Sequence, residues 1–185
     1  MGILDHFKAQ PKGEWTADEA AGREFDFDHN VLAGLKLRDP ASLLWRLGPP
    51  EDARQAAQGA YCFFSRGFEV DVRQGRVNTF VLVWQGDDRF QPFAGQCRFG
   101  GAEIKLAGGV SEAEIERIFG APFWRDEDTD EVLLFYEKGA VEWQVEINRQ
   151  TGLSAMVITA LPLLADAAQR QAYHVSKPWP PEVGG

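Results

Sequence analysis

The amino-acid sequence predicts an α+β protein in which two tandem units, each a helix followed by an antiparallel β-meander, form one curved sheet with the helices on one face. Three observations lead there. First, apolar and polar residues alternate in two stretches: Phe68, Val70 and Val72 with Glu69, Asp71 and Arg73, then Trp143, Val145 and Ile147 with Glu142, Gln144 and Glu146. That is the period-two pattern of half-buried strands. Second, each stretch follows a helix signal that ends in glycine and proline, at Gly48-Pro49-Pro50 and Gly120-Ala121-Pro122. Third, the features share one offset: Gly48 to Gly120, Pro50 to Pro122, Phe64 to Tyr136 and Gly67 to Gly139 are each 72 positions apart.

The elements follow in order. Thr16 and Glu19 have capping-box spacing and predict a helix over 17–23. Residues 25–37 predict one or two short strands. Asp39-Pro40 starts a helix with Leu43, Leu44 and Leu47 as its apolar stripe, and Trp45 is expected in the core. Strands at 61–64, 68–73 and 77–84 make the first meander, with a turn at Gly75. Residues 93–106 predict further strands. Ser111 and Glu114 form another capping box, and Ile115, Ile118 and Phe119 face the core. An acidic loop around 126–130 then leads into strands at 132–136, 142–148 and 153–159. Pro162 opens a C-terminal helix carrying Leu163, Leu164, Ala167 and Ala168, and the prolines of 177–181 require an extended tail. The chain thus divides into an N-terminal segment (1–36), repeat one (37–92), repeat two (93–160) and a C-terminal helix with tail (161–185), the repeats packing as one domain.

Of 185 residues, 44% are hydrophobic and 12% aromatic, enough for a core without a disulfide or metal staple. The net charge of −9 argues against nucleic acid, whose phosphates need a Lys/Arg surface, and against anionic membranes. A basic or neutral protein partner is expected, and a homo-oligomer stays open. Cys62 lies in an apolar strand, where a buried free thiol is expected, and the cysteine usage fits a reducing compartment. The N-terminal residues lack a signal-peptide pattern, and no stretch approaches ~20 apolar residues. The expectation is a cytoplasmic protein.

The unit of helix, Leu-Gly-x-Pro-like stop, strand, glycine, alternating strand and glycine turn is carried by Arg46-Leu47-Gly48-Pro49-Pro50 with 61–83, and by Ile118-Phe119-Gly120-Ala121-Pro122 with 133–157. It resembles the repeat of the β-lactamase-inhibitor-protein-like fold and is similar to the single repeat of SmpA/OmlA-type lipoproteins. The resemblance implies two helical layers on one face of a curved sheet, with the other face available to bind protein. The chain lacks the cysteine framework of the secreted inhibitors, and no family binding residues are carried over.

No catalytic pattern emerges. His6, His29 and His174 have no metal-ligand spacing to a second histidine or cysteine. Asp26, Asp28 and His29 could hold a metal, but strand-edge or turn polarity explains them as well. Asp126, Asp128, Asp130 and Glu137 mimic a calcium-loop skeleton, but Glu131 stands where the sharp turn needs glycine. There is no nucleophile elbow or phosphate loop. The expectation is therefore no catalytic residue, no metal and no cofactor. Strand alternation puts Glu69, Asp71, Arg73, Glu142, Gln144 and Glu146 on the open sheet face. Trp84 and Trp124, at element ends, are candidate aromatic anchors. The expected function is a non-enzymatic protein-binding module, of inhibitor or immunity type, acting on a basic partner. A homo-oligomeric structural or assembly factor and a small-molecule binder with an unrecognised site are the alternatives.

Overall fold

The structure is a computed structural model that describes residues 24–176; the helix expected at 17–23 and the proline tail lie outside them. Among the described residues the protein is α+β, with two open sheets and short helices. Strands β1 (Glu24–Asp26), β2 (Val31–Leu32) and β3 (Leu35–Lys36) open the chain, and β4 (Ala60–Phe63), β5 (Phe68–Arg73) and β6 (Arg76–Val83) form an antiparallel meander. Next come β7 (Gln96–Phe99) and β8 (Ala102–Ile104), then β9 (Trp124–Glu127), β10 (Glu131–Lys138), β11 (Val141–Asn148) and β12 (Gly152–Thr159).

The sheet expected to be single is two. The short strands at the start of the chain and after residue 93 form a five-stranded sheet, ordered β3-β2-β1-β7-β8. Its one parallel pairing, β1 with β7, sets Phe25 beside Cys97. The other strands form a seven-stranded antiparallel sheet, ordered β4-β5-β6-β12-β11-β10-β9. The two sheets meet through aromatic side chains: Phe25 packs edge-on to Phe80 at 5.9 Å, and Phe27 to Trp143 at 5.2 Å.

Two departures concern the first helical segment. Residues Ala41–Leu47 form a 3-10 helix rather than an α-helix, and Asp39 does not cap it. The Asp39 carboxylate instead accepts from the Lys36 backbone N–H at 2.9 Å. Residues three apart eclipse in a 3-10 helix, so Leu44 and Leu47 share the buried side. Trp45 falls off that side and is 38% exposed, which corrects its expected place in the core. A short helix α1 (Ala53–Ala56), capped by Asp52, was not expected.

Helix α2 (Glu112–Phe119) carries the expected capping box, with the Glu114 carboxylate accepting from the Ser111 backbone N–H at 2.9 Å. Its buried residues Ile115 and Phe119 sit one turn apart, on the face that meets the core. The C-terminal helix expected from Pro162 is divided into a 3-10 turn (Leu163–Ala165) and α3 (Ala167–Ala172), because Asp166 is extended and caps the second piece through the Gln169 N–H.

The core centres on Trp143, which is fully buried among Phe27, Phe99, Phe119 and Tyr136 at centroid distances of 5.1 to 6.4 Å between neighbouring rings. A buried indole N–H needs an acceptor. Asn30 supplies it, with Trp143 Nε1 donating to Asn30 Oδ1 at 2.7 Å. Asn30 reaches inward from a left-handed backbone (φ 53°), a conformation asparagine tolerates better than most residues. Asn30→Gly keeps that backbone and removes the acceptor. It should lower stability by about 1–3 kcal/mol, seen as a lower urea midpoint with an unchanged slope. Asn30→Asp, which retains the acceptor, should lose less.

Candidate functional site

The seven-stranded sheet has a core face and an outer face. Strand register fixes the membership of the outer face: Glu69 on β5 pairs with Cys62 on one side and Val81 on the other, Val81 with Val157, Val157 with Gln144, and Gln144 with Phe135. A parallel row runs from Asp71 through Thr79 and Thr159 to Glu142 and Glu137. A third runs from Val83 through Ala155 and Glu146 to Leu133 and Asp126.

The residues singled out in the sequence divide sharply. Glu69, Asp71, Gln144 and Glu146 lie half-buried on the outer face, and Arg73 is exposed beside it, its Nε 3.2 Å from Asp71. Glu142 and Trp84 require correction. Glu142 is fully buried, not on an open face. The segment after β12 crosses above it, and its carboxylate accepts from the backbone N–H groups of Leu163 (2.9 Å) and Leu164 (3.2 Å) and from Gln144 Nε2 (2.7 Å). Trp84 is 3% exposed and cannot anchor a partner. It continues the inward phase of Phe80 and Leu82 and packs edge-on to Phe93. Trp124 is half-buried between Phe135 (4.8 Å) and Tyr173 (5.1 Å).

The C-terminal segment thus roofs one end of the outer face. Leu164 is buried beneath it, and Arg170 forms a buried ion pair with Glu137 while stacking over Phe123 at 5.1 Å. Glu137 and Glu142 are directly opposed across β10 and β11, a repulsive arrangement unless donors are supplied. Arg170 and the two backbone amides supply them. The unroofed end holds Val81, Val83, Ala155, Val157 and Leu133, with Glu69 and Glu146 among them, all half-buried. Burial there, reinforced by the nearby Glu131 charge, raises the Glu146 pKa above the ordinary carboxylate range.

A second feature was invisible in the sequence. A cleft of about 590 Å³ separates α2 from the turn joining β11 to β12. Beside it runs a chain of ion pairs: Glu112 holds Arg125 through both oxygens (2.7 and 3.3 Å), Arg125 holds Glu127 (2.8 Å), and Glu127 holds Arg149. Hydrogen bonds from Arg125 first, then Arg149, depress the Glu127 pKa. Only Glu112 carried a sequence signal, as an acid in the first turn of a capped helix; the spacing of the other three encodes no local motif.

The remaining sequence candidates serve the fold. Asp28 accepts from the Gly100 and Gly101 backbone N–H groups at 2.9 and 3.0 Å, closing the β7–β8 turn, and Asp26 pairs with His29 Nδ1 at 2.8 Å. Asp126, expected in a solvated loop, belongs to edge strand β9, while Asp128 caps the next turn through the Asp130 and Glu131 amides. Cys62 and Cys97 are free and buried, with both thiols pushed up to about 12, Cys97 by burial and Cys62 by burial together with Glu69. No helix among the described residues is long and apolar enough to cross a membrane.

No protein family and no curated protein matches the chain. Among solved structures it is similar to a DUF4309-family protein (YjgB) from Bacillus subtilis, at 14% identity and a TM-score of 0.49, over 69% of this chain and 83% of that one.

Two outcomes follow from the outer face. Arg170→Ala removes a buried ion-pair partner of Glu137 and should cost about 3–5 kcal/mol in chemical denaturation. Glu146 holds its proton more tightly when folded than when unfolded, so stability falls as pH rises from the ordinary carboxylate range through the raised folded value. Glu146→Gln removes that loss. It should be more stable than the parent at pH 7 and indistinguishable from it below about pH 4, read by thermal melts across pH.

Proposed function

We propose that the protein is a non-enzymatic binding module whose partner is a basic protein, and that the partner docks on the unroofed end of the outer sheet face. The observation that carries this reading is the make-up of that end. Val81, Val83, Val157 and Leu133 form an apolar centre, with Glu69 and Glu146 as acids beside it. Specific interfaces combine an apolar centre with a polar rim. An acidic rim on a chain of net charge −9 draws a basic partner by long-range attraction and speeds encounter. The inhibitor or immunity-type role is the specific form we favour. A cytoplasmic setting suits the two buried thiols.

We also infer that the sheet arose from a duplicated helix-and-meander unit. Gly48 and Gly120 end their helices with closely similar backbones (φ 76°, ψ −179° and φ 85°, ψ −174°), and Gly67 and Gly139 are both left-handed. The last strands of the two meanders, β6 and β12, are eight residues each and pair antiparallel about Val81 and Val157. Those two residues hold the same position in their strands, which supports a two-fold relation between the units.

The test is affinity capture from native cells followed by kinetics with the captured partner. Glu69→Gln with Glu146→Gln should slow association and flatten its dependence on salt. An unchanged rate with an unchanged salt slope would move the site elsewhere.

A further inference from the structure

The cleft between α2 and the β11–β12 turn lies apart from the outer face and has chemistry of its own. Its volume of about 590 Å³ falls in the range of small-ligand sites. Val132 and Ile147 form an apolar back wall. Helix α2 lines one side with Glu112 and Glu116, one turn apart, and the turn lines the other with Asn148 and Arg149.

The charges of these groups do not cancel. Glu112, Arg125, Glu127 and Arg149 form a linear chain of two carboxylates and two guanidiniums, neutral as a set. Arg149 also donates from Nε to the Asp128 carbonyl at 3.1 Å, so although it borders the cleft its charge is already matched. Asn148 Oδ1 accepts from the Gln150 and Thr151 amides at 2.9 and 3.1 Å. Glu114, the other acid of this helix turn, is held by the capping box. Glu116 is left: exposed, lining the cleft, and without an ion-pair partner among the described residues.

An anion entering the cleft meets a net negative wall and no unmatched guanidinium. A cation on an alkyl stem meets a carboxylate at the rim and an apolar wall behind it. We propose that this cleft binds an alkylammonium group, with Glu116 as its counter-ion and Val132 and Ile147 against its stem. A single exposed carboxylate suits the compact point charge of an ammonium better than the flat fork of a guanidinium. A lysine side chain of a protein and a free aliphatic diamine both carry this group.

The experiment is an amide NMR titration of the full chain with four probes: Nα-acetyl-lysine N-methylamide, 1,4-diaminobutane, Nα-acetyl-norleucine N-methylamide, and inorganic phosphate. The two amines should give saturable shifts at the amides of Gly109, Ala113 and Gly152, which line the cleft. The uncharged norleucine compound and phosphate should not. Glu116→Gln, at an exposed position, should melt like the parent and weaken amine binding about tenfold or more. Tighter binding of the lysine compound than of the diamine assigns the cleft to a protein side chain; the reverse assigns it to a free amine. The proposal is overturned if no saturable shifts occur at these amides, if norleucine or phosphate shifts them equally, or if Glu116→Gln binds as the parent does. None of these outcomes bears on Glu69 or Glu146, so the cleft and the outer face stand or fall separately.

Discussion

The antiparallel pairing of β6 with β12 is the seam on which the architecture depends. Each is the last strand of its meander, and their union makes one seven-stranded sheet from two smaller ones. It sets Phe80 beside Ile158 and Leu82 beside Met156, so the apolar faces of both meanders become continuous. Only that continuous face gives Phe25, Phe27, the Leu44 and Leu47 turn and helix α2 a common surface to cover. A slip of one residue would turn Phe80 and Leu82 outward. The register is held at one end by the Thr79 and Thr159 hydroxyls, 2.9 Å apart, and at the other by the Trp84 N–H on the Ser154 carbonyl at 2.7 Å.

The outer face of the same sheet is governed by a different balance. Two acids opposed at Glu137 and Glu142 cannot remain side by side away from water without donors. The chain itself provides them, by folding back after β12 and offering backbone amides to one carboxylate and Arg170 to the other. Among the described residues, no backbone amide or arginine of the C-terminal segment bonds to Glu69 or Glu146. The face therefore has an inner end occupied by the protein's own backbone and an outer end where valines and acids share the surface.

The strands with long period-two alternation, β5 and β11, were legible because each residue's neighbour in sequence reports its face; β10 and β12 were legible as the apolar run before and the strand after that alternating stretch, and α2 from the capping box of Ser111 and Glu114. Short strands were expected at 25–37 and 93–106, but their union in a separate five-stranded sheet was not legible. They are two to four residues long, too short for periodicity, and the pairing that joins the two groups sets Phe25 beside Cys97, some 70 residues away. Glu142 was misread for a related reason: alternation correctly put it on the face opposite Trp143 but cannot say what lies above that face. Trp45 was misread because helical spacing was assumed where the backbone winds more tightly. The cleft needed the tertiary meeting of α2 with a turn about 35 residues later, and no local pattern announces such a meeting.

The ion-pair chain has one more consequence, through the strand it runs along. Strand β9 is the end of the seven-stranded sheet, and the far side of an end strand is a template on which another chain can continue the ladder. Here that strand reads Trp124-Arg125-Asp126-Glu127, with Arg125 and Glu127 fixed in charged contacts to α2 and the β11–β12 turn. A strand arriving to extend the sheet would have to settle against pinned charges rather than a bare apolar ribbon. At the opposite end, the Glu51 N–H already occupies the Cys62 carbonyl of β4. Among the described residues both edges of the sheet thus carry features that disfavour continuation of its ladder.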